Sequence, residues 1–321
     1  MMRWILILLA GWIAAAPVCA QEVYPSRLIR IIVAYPPGGA VDIMARITAQ
    51  KIQETLGQPV VVENRGGAGG VIGTQAVARA APDGYTLLVV DRGTLTINPS
   101  LHKVPPYDAV KDFAYTGVSA ELHYVLVVNA VSPAKSLWEF VQLAKSKPGS
   151  LNYGAATGSI IHLNFERMNS QLGIQVTHVP YKGAADSLRG AVSGDVALTM
   201  SSYAGVSGFL RDGRLRGVAV SSSERLPQLP HVPTVSEAGG GSDAIVPTYF
   251  TYVVPAGTPR AVIAKLSAEL GRAQLAPDVM EGLIKAGLEP KITTPEAITE
   301  SVKRDTEHFG KLIKAVGITL Q

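Results

Sequence analysis

Residues 35–42 read Tyr-Pro-Pro-Gly-Gly-Ala-Val-Asp, at the point where an apolar run (Leu28 to Val33) meets an amphipathic one (Val41 to Leu56). Two prolines stiffen the exit from the expected strand. Two glycines, Gly38 and Gly39, remove the Cβ atoms that would hold a ligand off the main chain. The N-terminus of the expected helix then presents unpaired N–H groups at the positive end of its dipole, an arrangement that favours an anion such as a small carboxylate. Asp42, in the first helical turn, is placed to cap the same N–H groups itself, so an ordinary capped turn accounts for the residues equally well.

Three later segments offer a second wall for such a site. Asn152 to His162 ends a short apolar run in a small-residue loop, Ala156-Thr157-Gly158-Ser159, where Ser159 can cap the next helix. His162 on that helix reads more readily as a half-buried residue than as a ligand contact. Val179-Pro180-Tyr181-Lys182-Gly183 again joins a strand to a helix, with Tyr181 able to close over a ligand and Lys182 a candidate surface charge. Ser193-Gly194-Asp195-Val196 reads as a helix stop followed by a strand start. In the first half, Asp91 and Arg92 follow the strand Thr86–Val90. Neighbours on a strand point to opposite faces, which disfavours their mutual pairing and leaves Arg92 to reach a second, distal carboxylate.

Recognised catalytic patterns are missing. The glycine cluster Gly66 to Gly73 follows a strand, but Ile72 stands where the third glycine of a dinucleotide turn belongs, and no Lys-Ser or Lys-Thr follows. A close helix–strand approach explains it better. The six histidines show no metal-ligand spacing, and there is neither a G-x-S-x-G nor an H-E-x-x-H motif. No catalytic residue, metal or cofactor is expected.

The elements that must carry these loops alternate along the chain. Strands are expected at Leu28–Val33, Val60–Glu63, Thr86–Val90, Tyr124–Asn129, Leu151–Tyr153, Gln175–Val179, Val196–Met200, Gly217–Ser221 and Phe250–Val254. Helical patterns lie at Val41–Leu56, Val71–Ala80, Leu137–Ser146, Ile160–Leu172, Ala184–Ser193 and Tyr203–Arg211. Such alternation implies an α/β fold with mostly parallel sheets covered by helices on both faces. From Thr258 helices dominate, with prolines opening Pro259–Ala273, Pro277–Ala286 and Pro295–Val316. A terminal helical section can return to the first lobe. The chain would then cross between lobes near Leu122–Tyr124 and again near Thr248–Tyr252, making a hinge and a cleft.

Arg3, the apolar run Trp4 to Ala16 and the small residues Val18-Cys19-Ala20 form a secretory signal peptide, with cleavage expected after Ala20. The run is too short for a membrane span. Cleavage removes the single cysteine, so the exported chain is held by its core without a disulfide. About 300 residues remain, enough for two lobes. Net charge is +4, or +3 without Arg3, and the cations are scattered; a nucleic-acid partner is not expected.

Tyr35 to Asp42 resembles the signature loop of the Bug family, the extracytoplasmic binding components of tripartite tricarboxylate transporters. Similar matches are Glu63-Asn64-Arg65, Pro82-Asp83-Gly84-Tyr85-Thr86-Leu87-Leu88, Ile97-Asn98-Pro99-Ser100-Leu101, and Tyr107-Asp108 with Lys111-Asp112-Phe113. Val179 to Gly183, Val232 to Gly239 and Pro255 to Pro259 complete the set, in the family's order and over nearly the whole exported chain. The resemblance implies a two-lobed, Venus-flytrap periplasmic binding protein, with lobe 1 from residues 21–122 and 252–321 and lobe 2 from 123–251. It implies a small mono- or dicarboxylate held largely by main-chain amides and water, a monomer, and membrane transport components as partners. Carried over by position, the contacts are Pro37, Gly38, Gly39, Ala40, Asp42 and Thr94 on one side, and Thr157, Gly158, Ser159, His162 and Tyr181 on the other; Tyr35, at the start of the signature loop, is a further candidate contact. Asp91-Arg92 and Ala155-Ala156-Thr157 depart from the usual family residues and affect the distal end of the pocket. Two other readings are a ligand-sensing module for a signalling partner and a secreted α/β hydrolase.

Overall fold

The computed structural model describes residues 24–241 and 244–316, so the leader and its cleavage site lie outside the described residues. The first sheet is built from β1 (Ile29–Val33), β2 (Val60–Asn64) and β3 (Thr86–Asp91), linked by α1 (Ala40–Leu56) and α2 (Val71–Ala78). These three strands pair in parallel with β1 in the middle, as successive strand–helix–strand units require. Two short helices, α3 (Arg92–Thr96) and α4 (Asn98–Leu101), precede the long β4 (Phe113–Leu122).

The chain then leaves this sheet. It forms β5 (Tyr124–Asn129), α5 (Leu137–Ser146), β6 (Leu151–Ala156), α6 (Ile160–Leu172), β7 (Val176–Tyr181), α7 (Ala184–Ser193), β8 (Thr199–Ser202), α8 (Tyr203–Arg211) and β9 (Leu215–Val220). Strands β8, β5 and β9 are antiparallel neighbours, and β6 and β7 are parallel. A parallel bridge from Tyr153 to Leu198, closed by Gly154 N–H donating to Leu198 O at 3.0 Å, joins the two sets. The chain returns in β10 (Thr248–Pro255), followed by α9 (Arg260–Leu275), α10 (Pro277–Lys285), β11 (Leu288–Ile292) and α11 (Pro295–Val316). The first sheet is thereby completed in the order β11-β4-β10-β3-β1-β2, with β10 antiparallel to both β3 and β4.

The returning helices pack where a C-terminal section covering the first sheet should. Helix α9 lies on β4 and α1, and α11 on β4 and α3. Side-chain alternation divides the core: Ile29, Ile31 and Val33 of β1 face a cluster with Met44, Ile52 and Leu270, while Ile32 joins Val90, Tyr115 and Val302 on the other face.

Two strands are not visible in the sequence pattern. In β4, Gly117 interrupts the apolar run with φ +77°, and the register to β10 shifts there. A Cβ at Gly117 would lie 2.5 Å from Thr293 O, so the bulge needs glycine at a close backbone crossing. Strand β11 is an edge strand reading Leu-Glu-Pro-Lys-Ile, whose proline and charges look like a loop and also suit an unpaired edge. Other bounds move by a few residues; Thr199–Ser202 replaces the expected strand Val196–Met200. Thr248 already pairs with Leu122 in the first sheet, so the second crossing precedes it.

The glycine cluster behaves as a close helix–strand approach. A Cβ on Gly73 of α2 would sit 2.6 Å from Arg65 O and 3.0 Å from the Ala34 Cα. Backbone therefore meets backbone, and no nucleotide turn is formed.

Candidate functional site

A cavity of about 710 Å³ opens between the strand ends of the two sheets. One wall comes from Tyr35, Ala68, Gly69, Asp91, Thr94 and Asn98. The facing wall comes from Ala156, Thr157, Gly158, Ser159, Lys182 and Ser202. Leu122, Tyr124 and Phe250, at the crossings, supply apolar lining together with Ile160. Both walls follow from strands ending in loops at the same edge, where open α/β sheets leave a crevice.

The first wall is organised by Thr94. Its N–H donates to Asp91 Oδ1 at 2.9 Å, and its hydroxyl lies 2.9 Å from Asp91 Oδ2 and 3.1 Å from Gly69 O. Tyr35 Oη also contacts the Thr94 hydroxyl. A threonine has one hydroxyl hydrogen. When it goes to Asp91, Tyr35 donates to Thr94, and Gly69 O keeps the Asn98 Nδ2 donor at 2.9 Å. Burial pushes the Asp91 carboxyl above the usual carboxylate range, although both Thr94 bonds oppose it.

The second wall is set by the start of α6. Ser159 Oγ accepts from His162 N–H at 3.2 Å, an N-cap, and Gly158 N–H donates to His162 Nδ1 at 3.0 Å. Gly158 has φ +74°, which the tight turn into the helix requires. The His162 ring stacks on His178 at 3.9 Å and is 4% exposed. Burial, then the neighbouring His178, pulls its pKa down to about 4. The neutral ring is the form that can accept the Gly158 N–H.

Five of the residues singled out in the sequence therefore meet in the cavity wall: Tyr35, Thr94, Thr157, Gly158 and Ser159. His162 stands behind the wall and supports it. Asp42 is a further correction. Its carboxylate accepts from Gly38 N–H at 2.9 Å, Asn64 Nδ2 at 2.8 Å and Arg46 Nε at 3.1 Å, and it is 3% exposed. Burial raises its pKa, but these three donors outweigh burial and the net shift is downward. Asp42 thus fastens the Pro-Gly-Gly loop and has no free face for a ligand.

Pro37, Gly38 and Gly39 are exposed just beyond the wall, and Ala40 opens α1 without a side-chain cap. Gly38, with φ +90°, takes the left-handed conformation, while Gly39 at φ −80° is ordinary extended backbone. Tyr181 is turned from the cavity and packs over α7, where a Cβ on Gly190 would strike its Oη. Lys182, one residue on, lines the cavity instead: the alternation at a strand end reversed the two roles.

Arg92 is the largest correction. Its Nη2 pairs with Asp305 Oδ1 of α11 at 2.6 Å, and its Nη1 donates to Pro247 O at 3.1 Å. The guanidinium lies between the rings of Tyr249 and Phe309, at 5.6 and 5.5 Å. Asp91 ends the strand and caps a helix that starts at Arg92, so the chain turns and carries Arg92 behind the cavity. Asn98, Ala68 and Gly69 lie in the motif Ile97 to Leu101 and in the glycine cluster, neither of which carries a ligand group in its sequence pattern, while Ser202 and Phe250 belong to strands with no ligand-binding signature.

Comparison with known proteins adds to this geometry. The family model described as the tripartite tricarboxylate transporter family receptor matches residues 44–318. Protein BugT of Bordetella pertussis (strain Tohama I / ATCC BAA-589 / NCTC 13251) is 35% identical over 309 residues, covering 96% of this chain and 94% of BugT. The solved structure of the periplasmic binding protein BugD is similar with a TM-score of 0.76 and 31% identity, over 93% of this chain and 100% of that one. That of R. palustris Rpa4515 with adipate matches with a TM-score of 0.79 and 31% identity, over 92% and 99%.

Proposed function

This chain belongs to the tripartite tricarboxylate transporter family of receptors, which includes the Bug proteins, and on that premise we propose that it captures a small carboxylate in the cavity between two lobes and delivers it to membrane transport components. The observation that carries the proposal is the cavity itself. It has a loop of amides and hydroxyls (Thr157 to Ser159) on one wall, the Tyr35–Thr94 pair on the other, and apolar lining from Tyr124 and Phe250. A volume of about 710 Å³ admits a small organic acid together with bridging waters. The adipate held by Rpa4515 is such an acid. In this reading the chain up to residue 122 and from 248 onward forms one lobe and 123–247 the other, because Thr248 already pairs with Leu122 in the first sheet. The protein is exported to the periplasm after cleavage at Ala20 and works as a monomer.

Binding without turnover separates capture from hydrolysis. In a thermal-shift screen of mono- and dicarboxylates, a true ligand should raise the melting temperature in a concentration-dependent way and be recovered unchanged. The same ligand should reduce the radius of gyration in solution scattering as the lobes close. Consumption of the ligand would overturn the assignment, and an unchanged scattering profile at saturation would exclude closure. Sensing and transport share the binding step; reconstitution with the membrane components decides between them.

The Pro-Gly-Gly loop, at the uncapped start of α1, is the lip that closure would bring to the ligand. Gly39→Val tests it cleanly, because φ is −80° and no atom lies within 4 Å of the added Cβ. The variant should fold with an unchanged melting temperature and lose affinity by about tenfold or more, the scale of one charge-assisted hydrogen bond. Retained affinity would confine the site to the cavity wall.

A further inference from the structure

The two walls carry opposite charges that the protein itself leaves unmatched. Asp91 is half-buried in the first wall, and among the described residues no lysine, arginine or histidine lies within ion-pair distance of it. The neighbouring cation, Arg92, is committed to Asp305. Thr94 gives one donor to each Asp91 oxygen and the Gly93 backbone N–H also favours the carboxylate, which still leaves part of its four-site acceptor capacity open. Across the cavity, Lys182 is exposed and lies within ion-pair distance of no carboxylate among the described residues. Apolar groups (Leu122, Tyr124, Ile160 and Phe250) line the space they share.

We propose that Asp91 and Lys182 set the ligand class: an acid whose carboxylate meets Lys182 and the Thr157–Ser159 loop, and whose other end carries an ammonium group that meets Asp91. This rests on the cavity being the carboxylate site and adds the chemistry of its far end. An ammonium supplies the cation that Asp91 lacks and up to three donors for its open lone pairs. A second carboxylate there would face a like charge of low hydration. Dicarboxylates are thus selected against by Asp91. The capping role of Asp91 does not require the charge, since asparagine caps a helix equally well.

That equivalence supplies the test. Asp91→Asn keeps an acceptor for Thr94 N–H, removes the charge, and turns the second oxygen into an amide donor, which the Thr94 hydroxyl can accept while it donates instead to Gly69 O at 3.1 Å. Calorimetric titrations would compare wild type, Asp91→Asn and Lys182→Met against two matched sets. One set is pentanoate, glutarate and 5-aminopentanoate; the other is benzoate, terephthalate and 4-(aminomethyl)benzoate. Wild type should bind the amino acid of at least one set about tenfold or more tightly than its dicarboxylate, and Asp91→Asn should abolish that preference. Lys182→Met should weaken all members of the set together, because all share the carboxylate. Equal or better binding of the dicarboxylate by wild type, or a preference unchanged in Asp91→Asn, would overturn the assignment of Asp91 while leaving carboxylate capture intact. Failure of wild type to bind any member of either set would overturn both.

Discussion

Arg92→Ala should destabilise the protein by about 3–5 kcal/mol, the usual cost of stripping one partner from a buried ion pair. The side chains of Arg92 and Asp305 are only 13% and 6% exposed, and their atoms approach to 2.6 Å. Removing the guanidinium strands a carboxylate inside α11, empties the space between Tyr249 and Phe309, and frees Pro247 O at the return crossing. Asp305→Ala should cost a similar amount by stranding the cation. The double variant should cost clearly less than the two together, because neither charge is then left unpaired. Arg92→Lys should not rescue fully, since an ammonium cannot serve Asp305 and Pro247 O with the same planar fork. Urea unfolding of the wild type and the four variants measures this. The competing idea, a distal ligand contact, requires instead an unchanged midpoint with selective loss of dicarboxylate affinity.

Arg92 also shows where sequence reasoning stops. Neighbours on a strand face opposite ways, but β3 ends at Asp91 and the alternation does not reach Arg92. Asp91 caps α3, and the turn it makes sends Arg92 to a helix some two hundred residues later in the chain. Partners that far apart in sequence leave no local mark. Tyr181 and Lys182 exchange roles for a related reason: Tyr181 ends β7 and Lys182 follows it, so the direction of each side chain depends on the last pairing of the strand. By contrast, Tyr35 and the Thr157–Ser159 loop were legible because prolines, glycines and a capping serine report backbone conformation directly. The alternation of strands and helices was legible for the same kind of reason. Strand β4 escaped it because a buried strand with a glycine bulge shows neither alternation nor an unbroken apolar run.

The structure also predicts how the second wall responds to acid. His162 accepts the Gly158 N–H through Nδ1, which only a neutral ring can do, and burial and His178 hold its pKa at about 4 against an ordinary value of 6.5. The unfolded chain takes up the proton near 6.5, whereas the folded chain resists it until about 4. Unfolding therefore binds protons between these values. The stabilisation is complete above pH 6.5 and disappears as the pH falls towards 4, a loss of about 2–3 kcal/mol from this one residue. Because the bond it breaks fixes Gly158, ligand affinity should decline over the same interval. His162→Asn places an acceptor near the position of Nδ1 without a titrating group, so its stability should vary less with pH than that of wild type. His162→Phe fills the stacking position but offers no acceptor; it should lose about 1–3 kcal/mol at neutral pH from the unpaired buried N–H, and with it the order of the Thr157–Ser159 wall. Urea midpoints and ligand titrations at pH 7, 5.5 and 4.5 would show the difference. Parallel pH profiles for wild type and His162→Asn would mean that the acid sensitivity lies elsewhere, and that His162 serves the wall through packing alone.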